Sequence, residues 1–314
     1  MSRNALTATG KLFRNRNFIL VLAIVLGLVA GKQVAIKTEP LVLPLLALVM
    51  SLSAMDITTR ELVSLRTMHR PIVYSLLLNY VVLGGLILLM AWWLIPDEEL
   101  WIGFVILAAA PAAPAVLPFT HSLGGDTRFS LIGMTGSYLA ALVILPVVIV
   151  LFLGLELFNP WRLLLILAEL IIIPIIVSRI LLFTGWVRHV SPYRGTIVNW
   201  SFFVIVFTLI GLNRQAFFGE FDILLRIVII AIVISFVLGY VLELIAKALR
   251  LKHETAVSVI LMGTLKNFSL SGGILLALFT ERSTIPVSIC LVFGILMFVW
   301  LGFHLKKKAQ KSAI

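Results

Sequence analysis

Charged residues are scarce in this chain: they make up only 12% of its 314 residues, whereas 61% are hydrophobic. That apolar share lies far above the value for a soluble domain. The apolar residues also come in runs of about 20, the length that a helix needs to cross a bilayer. The composition therefore predicts an all-α membrane protein with many spans.

Cysteine is almost absent, since Cys290 is the single one and lies in an apolar run. One cysteine excludes an intramolecular disulfide, and no Cys/His spacing typical of a metal site is present. Acidic residues are also few, with 14 Asp and Glu against 25 Lys and Arg and a formal net charge of +11. These cations collect in alternate loops, which indicates membrane topology better than nucleic-acid binding. We expect no metal, no cofactor and no nucleic-acid partner.

Ten apolar segments are long enough to cross a bilayer. The predicted spans are 17–35, 40–56, 71–95, 101–123, 129–154, 161–184, 195–213, 222–247, 255–280 and 284–304. Cations collect on one side, in the tails 1–16 and 305–314 and in loops that carry Arg60, Arg66, Arg70, Arg128, Arg188, Arg194, Lys247, Arg250 and Lys252. The positive-inside rule therefore predicts a cell-membrane protein with both termini in the cytoplasm. The basic start is interpreted as a tail, not as a cleavable signal peptide.

The ten predicted spans divide into five plus five, over residues 17–154 and 155–304. An odd number of spans per half forces the halves into opposite orientations, which is the inverted repeat of many transporters. The fourth span of each half, spans four and nine of the chain, is the unusual one. We therefore examine these two spans for a site.

Spans four and nine both contain features that interrupt a helix. Pro111, Pro114 and Pro118 fall within eight residues of span four, and each proline removes a backbone donor and clashes with the preceding turn, so we expect all three to open that helix. In span nine the stretch from Met262 to Asn267 is the counterpart. Either break alone has a structural interpretation, as a kink or a close helix contact. Breaks at matching positions of the two halves instead predict a transport site.

Lys266 lies near the middle of span nine. A lysine at this depth is energetically unfavourable, so it marks a functional site by default. It is about 11 residues, or ~17 Å, into its span, and a lysine stem of ~6 Å reaches neither surface. Snorkelling into a water-filled cavity is the alternative interpretation. We expect a site role for Lys266.

Three short motifs resemble those of the bile acid:sodium symporter family. Ala110-Pro111-Ala112-Ala113 is similar to the family's Ala-Pro-Gly-Gly segment, and residues 51–55 are similar to its small-residue stretch in span two. Residues 262–267 lie where the family has Glu-x-Gly-x-Gln-Asn. The resemblance implies ten helices with broken, crossing helices 4 and 9. It also implies a panel domain from helices 1, 2, 6 and 7, a core domain from helices 3–5 and 8–10, and alternating access.

The chain departs from that family at the two sodium sites that the resemblance implies. Aligned with the family motifs, Met262 takes the place of the Glu and Lys266 that of the Gln, while Val116 and Leu117 replace a Ser-Asn pair. A neighbouring ammonium would repel sodium by roughly 4 kcal/mol at 4 Å and an effective dielectric constant of 20. The side chains left to offer oxygens are Asn267, Asn79, Ser130 and Thr135. We expect that both sodium sites are lost.

Lys266 is then predicted to supply a fixed positive charge where sodium would lie, and to tie the broken ninth helix to its surroundings. Burial disfavours the charged form of a lysine, so proton loading and release at Lys266 is a further option. Glu169 is a candidate counter-charge, because it lies ~12 Å and Lys266 ~13 Å from the same membrane face. The rival partner is a substrate carboxylate or sulfonate. The complete candidate site is Lys266, Asn267, Thr264, Met262, Glu169, Asn79, Ser130, Thr135, Pro111 and Pro114.

The sequence favours a secondary active transporter of a small, bile-acid-like organic anion. It would be independent of sodium, with the proton as an optional coupling ion and the lipid bilayer as its environment. Two alternatives stay open: a sodium-coupled symporter with altered ion ligands, and a non-transporting membrane sensor or partner-binding protein on the same fold. An enzyme is not expected, because no Ser-Lys, paired Asp or zinc-ligand constellation lies at membrane depth. No feature of the sequence indicates an oligomeric state.

Overall fold

The computed structural model describes residues 15–55, 69–154 and 159–311, which form helices joined by short turns and two non-helical breaks. The helices are α1 (Arg16–Ala30), α2 (Lys32–Ala54), α3 (His69–Leu94), α4 (Glu98–Ala109), α5 (Val116–Ser122), α6 (Thr127–Leu153), α7 (Pro160–Phe183), α8 (Val187–Leu212), α9 (Phe221–Ala248), α10 (His253–Thr264), α11 (Phe268–Leu278) and α12 (Ile285–Lys311). The predicted all-α class is confirmed.

Six of these helices are long and apolar enough to cross a membrane, namely α2, α3, α6, α7, α8 and α9. Shorter apolar helices accompany them, among them α1 and α11. The structure therefore supports a membrane protein, as predicted. The basic residues Arg60 and Arg66, most of the N-terminal tail and the last three residues of the C-terminal tail lie outside the described residues.

The predicted first span, 17–35, was wrong at its C-terminal end. Helix α1 ends at Ala30, because Gly31 has a φ of 73°, a left-handed conformation that glycine adopts readily and that ends helices. The next helix begins at Lys32, not near residue 40. The apolar residues Val34, Ala35 and Ile36 concealed this boundary, because they extend the hydrophobic run past the glycine.

The chain forms two compact units, and the boundary between them falls once within α7. Unit 1 contains residues 15–55 and 166–220 of the described chain. In it α8 packs against both α1 and α2. Gly27 allows the close approach of α1 to α8, since a Cβ there would lie 2.9 Å from the Phe207 carbonyl oxygen. Arg179 donates to the Ala54 carbonyl oxygen (2.6 Å) and so closes the C-terminal end of α2.

Unit 2 contains residues 69–154, 159–165 and 221–311 of the described chain. Helices α3 and α6 pack along each other, and α4 packs against α3, α6, α11 and α12. Helix α10 lies against α5, α6 and α9. The short helices α4, α5, α10 and α11 are therefore the interior elements of this unit, and the predicted polar interruptions lie between them.

Candidate functional site

The first break lies between α4 and α5, at residues 110–115, and is called the proline break below. Pro111 and Pro114 lie within it, so their missing N–H groups remove donors that the helix would need. Pro118 does not: it lies in the first turn of α5, where a backbone N–H has no intrahelical partner in any case. In a continuous helix Pro118 would still clash with the Pro114 carbonyl, so its part in opening the helix stays a prediction.

The second break lies between α10 and α11, at residues 265–267, and is called the lysine break below. It contains no proline. Leu265 has an extended backbone conformation, with φ −111° and ψ 108°. Asn267 then starts α11, because its side-chain oxygen accepts a hydrogen bond from the Leu270 N–H at 3.1 Å. This asparagine acts as a helix N-cap.

The two breaks pair with each other as a one-step antiparallel ladder. Ala112 lies opposite Lys266. The Ala113 N–H donates to the Leu265 carbonyl oxygen at 3.3 Å, and the Asn267 N–H donates to the Pro111 carbonyl oxygen at 2.9 Å. Unwound backbone at membrane depth must find such partners, since lipid supplies none. Each break therefore supplies hydrogen-bond partners for some of the backbone groups of the other.

The Lys266 side chain completes this pairing. It is only 1% exposed, and its ammonium has three acceptors: the Asn79 Oδ1 at 2.9 Å, the Ala108 carbonyl at 2.7 Å and the Ala110 carbonyl at 2.8 Å. An ammonium carries three N–H donors, so all of its hydrogen-bonding capacity is used. The buried ammonium is therefore held by three oxygens.

The two carbonyl acceptors are a direct product of the proline break. In a continuous helix the Ala110 carbonyl would accept from residue 114, but Pro114 has no N–H to donate. The Ala108 carbonyl would accept from Ala112, which instead lies opposite Lys266 in the ladder. Both oxygens are therefore free to bind a cation, and Lys266 provides it.

Asn79 connects α3 to the lysine break. It is buried in a π-helical stretch, Leu77–Gly84. Its side-chain oxygen accepts from Lys266, so its amide nitrogen faces the carbonyls of Met262 and Leu265, at 3.2 and 3.4 Å. One side chain thus holds both the ammonium and the frayed end of α10.

An aromatic face adds to the surroundings of the ammonium. The Lys266 Nζ lies 4.7 Å from the ring centroid of Tyr80, within the range of a cation–π interaction. The Tyr80 hydroxyl donates to the Ser137 carbonyl oxygen at 2.8 Å, which fixes the ring. The sequence analysis missed Tyr80 and the two alanine carbonyls. The adjacency of Tyr80 to Asn79 was a usable signal, whereas backbone oxygens leave no mark in a sequence.

The other predicted oxygen ligands make hydrogen bonds within their own helices or to a neighbouring helix. Thr264 donates to the Ile260 carbonyl and Thr135 to the Leu131 carbonyl, each one turn back along its own helix. Ser130 shares a hydrogen bond of 2.8 Å with the Thr120 hydroxyl. Met262 is fully buried and contributes only its carbonyl, to Asn79. Of the predicted site residues, those that lie together at the two breaks are Lys266, Asn267, Asn79, Met262, Pro111 and Pro114.

Glu169 belongs to unit 1, on the π-helical stretch Ala168–Ile172, and is exposed. All three hydrogen bonds of the Lys266 ammonium are made inside unit 2. No described carboxylate of unit 2 forms an ion pair with it. The pairing of Glu169 with Lys266 stays a prediction.

The helix ends on one side of unit 2 carry a second, more exposed charged group. The Arg282 guanidinium lies 3.0 Å from the Asp97 carboxylate and 3.8 Å from that of Glu99. Asp97 also caps α4 through the Leu100 N–H. Partial burial raises the pKa of Asp97, but the Leu100 and Arg282 hydrogen bonds and the Arg282 charge together hold it below its ordinary value. This ion pair links the start of α4 to the segment after α11.

Comparison with known proteins identifies one family model that matches this chain. The family model described as the Sodium Bile acid symporter family matches residues 43–225, more than half of the chain. The matched range includes Asn79 and the proline break and ends before the lysine break. No curated protein matches the chain.

Proposed function

This chain belongs to the sodium bile acid symporter family, and we propose that it is a sodium-independent secondary carrier of a small organic anion. The family is one of membrane transporters of bile-acid-like and related solutes, not of enzymes, and the apolar helices agree with a membrane location. Our proposal further specifies the cation at the paired breaks: the ammonium of Lys266 instead of a bound sodium ion.

The observation that carries the proposal is the position of the Lys266 ammonium on three oxygens at 2.7–2.9 Å. A bound metal cation would be held in the same way, by carbonyl and side-chain oxygens. Met262 stands where the family resemblance implies a carboxylate and supplies no side-chain oxygen. A covalently attached cation thus replaces an exchangeable one, and uptake need not wait for an ion to bind.

The division of the chain supports a panel and a core domain. Unit 1 contains α1, α2, most of α7 and α8, and unit 2 contains the remaining helices. This membership agrees with the proposed panel from helices 1, 2, 6 and 7. The antiparallel ladder between the breaks agrees with an inverted repeat of ten spanning segments, because inversion makes broken helices 4 and 9 run in opposite directions. Alternating access is the motion we propose for these domains.

Lys266 is best assigned a positioning role. Contact with a substrate carboxylate, or with Glu169, would require the ammonium to give up one of its three acceptors. Loss of a proton would leave an amine with two N–H donors for three acceptors, so proton coupling has weaker support than a fixed charge. An independent effect of Glu169→Gln and Lys266→Ala on transport and stability would exclude the Glu169 pair.

Uptake into proteoliposomes, with sodium or with choline as the external cation, tests the proposal. We expect the wild type to take up organic anions at equal rates in both media. The double variant Met262→Glu/Lys266→Gln, which restores the family residues at both positions, is expected to acquire a dependence on sodium. Strict sodium dependence of the wild type would contradict the proposal. The absence of counterflow with every anion in a panel of carboxylates and sulfonates would favour the non-transporting alternative.

A further inference from the structure

Tyr138 lies on α6 beside the lysine break and has a half-buried side chain. Its hydroxyl oxygen is 2.8 Å from the Asn267 amide nitrogen. Because Asn267 is only 2% exposed, the hydroxyl reaches the paired breaks and not the outer surface of the helices. The Tyr138 hydroxyl is therefore a polar group at the site that the family motifs did not mark.

The direction of this hydrogen bond is determined by the rest of the network. The Asn267 Oδ1 accepts from the Leu270 N–H, so the group that faces Tyr138 is the amide nitrogen, which can only donate. The tyrosine oxygen is then the acceptor, and its own hydrogen points elsewhere. Among the described residues, Asn267 is the only hydrogen-bond partner of the Tyr138 hydroxyl.

Neighbouring hydroxyls, unlike that of Tyr138, donate a hydrogen bond to a backbone carbonyl. Tyr80 donates to the Ser137 carbonyl, Thr264 to the Ile260 carbonyl and Ser271 to the Asn267 carbonyl. A polar group with an unused donor in apolar surroundings is unfavourable unless a ligand or water accepts from it. Tyr138 is thus a donor that is preorganised by Asn267.

The charge and the apolar side chains near Tyr138 indicate what could accept its hydrogen bond. Lys266 lies next to Asn267 and brings a positive charge that no described carboxylate of unit 2 neutralises through an ion pair. Tyr138 also packs against a buried apolar cluster of Leu117, Leu131 and Met134. An anionic oxygen attached to an apolar body fits both features.

We propose that Tyr138 is a substrate-binding residue, whose hydroxyl donates a hydrogen bond to the carboxylate or sulfonate of an amphipathic organic anion. The neighbouring apolar cluster of Leu117, Leu131 and Met134 favours a ligand with an apolar body, while the fixed charge of Lys266 favours an anion over neutral molecules without direct contact. This inference rests on the proposed carrier function and deepens it. It also assigns a role to Leu117, which stands where the family resemblance implies a polar residue.

The test compares wild type, Tyr138→Phe and Tyr240→Phe in proteoliposomes, with an amphipathic carboxylate and its neutral amide analogue as probes. Tyr240 is an exposed tyrosine of α9 in the same unit and provides the matched control. We expect Tyr138→Phe to raise the half-saturating concentration of the carboxylate roughly tenfold or more, the usual effect of losing a hydrogen bond to a charged group. Competition by the amide should change little, and Tyr240→Phe should behave as wild type.

Three outcomes separate the possibilities. Equal carboxylate affinity in wild type and Tyr138→Phe would overturn the inference while the carrier function stands. An equal loss for the carboxylate and the amide, together with a lower thermal midpoint without ligand, would also overturn it, since Tyr138 would then only support Asn267. Failure of the wild type to bind or transport any probe anion would overturn both proposals.

Discussion

The proline break and the lysine break interrupt two helices at one place, by opposite chemical means. The proline break removes backbone donors, through Pro111 and Pro114, and leaves carbonyl oxygens without partners. The lysine break adds donors instead, since Lys266 brings three N–H groups and one charge. Two interruptions that look alike as gaps between helices are therefore unlike in their hydrogen-bonding capacity.

This difference explains why the two breaks are stable together. The acceptors that the first break releases, on Ala108 and Ala110, are the ones that the Lys266 ammonium binds. A proline pair opposite a second proline pair would leave acceptors facing acceptors, and a cation from solution would have to join them. Here the cation is part of the chain. Three sets of variants test this complementarity, and a fourth, at the exposed Asp97–Arg282 pair, gives the smaller effect expected of a contact outside the breaks.

Removal of the Lys266 ammonium, the donor of the pairing, should have the largest effect on stability. Lys266→Met keeps an unbranched apolar stem but leaves the Asn79, Ala108 and Ala110 oxygens buried without a donor. We expect a loss of about 3 kcal/mol or more of stability, because each unsatisfied buried group costs about 1–3 kcal/mol. Chemical denaturation in detergent measures it. Lys252→Met, at an exposed lysine of the same unit, should stay within about 0.5 kcal/mol of wild type. Equal stability of Lys266→Met and wild type would show that the breaks do not depend on the ammonium.

Substitution of Asn79, which links α3 to the lysine break, should have the next largest effect on stability. Asn79→Leu removes one acceptor of Lys266 and two weak bonds to the Met262 and Leu265 carbonyls, so we expect a loss of about 2 kcal/mol. Asn79→Asp retains an oxygen for the ammonium and should lose less. The same denaturation experiment measures both variants. If the Asp variant is destabilised as much as the Leu variant, the side-chain oxygen is not what Lys266 requires.

The carbonyl acceptors of the proline break can be tested by replacing a proline with a residue that has a backbone N–H. Pro114→Ala restores an N–H that competes with Lys266 for the Ala110 carbonyl, and we expect a stability change of about 1 kcal/mol or less. Hydrogen exchange of residues 110–115 should become slower as the break partly rewinds. Pro146 lies inside α6, which continues through it, so Pro146→Ala is the control and should leave exchange at 110–115 unchanged. Unchanged exchange in Pro114→Ala would mean that Pro114 does not keep the break open.

The Asp97–Arg282 pair should have the smallest effect. Its side chains are 29% and 33% exposed, so Asp97→Asn should lower stability by less than about 1 kcal/mol at neutral pH. Because the folded protein holds the pKa of Asp97 below its ordinary value, the stabilisation is complete above about pH 4 and disappears as the pH falls through the folded-state pKa. Thermal midpoints of wild type and Asp97→Asn should therefore converge in acid. The nearby exposed Glu98→Gln serves as the control, and a difference that persists in acid would exclude the carboxylate charge as its cause.

Much of the candidate site could be predicted from the residues, and the limits are physical. Lys266 and the prolines were identified because charge and missing donors are unfavourable at membrane depth wherever the helix lies. Asn79 was identified only through the family resemblance. Ala108 and Ala110 could not be identified, since their contribution comes from backbone oxygens that every residue has.

By itself the sequence determined that this protein is helical and crosses a membrane, and that two of its apolar segments are interrupted. Long apolar runs and lone charges act locally, so their consequences do not depend on the rest of the fold. Only the tertiary structure decided that the Lys266 ammonium is shared among Asn79, Ala108 and Ala110, and that the Tyr138 hydroxyl accepts from Asn267 and keeps its own hydrogen. Those partners are separated by more than a hundred residues along the chain, and hydrogen bonds are set by ångström distances and directions that only packing defines.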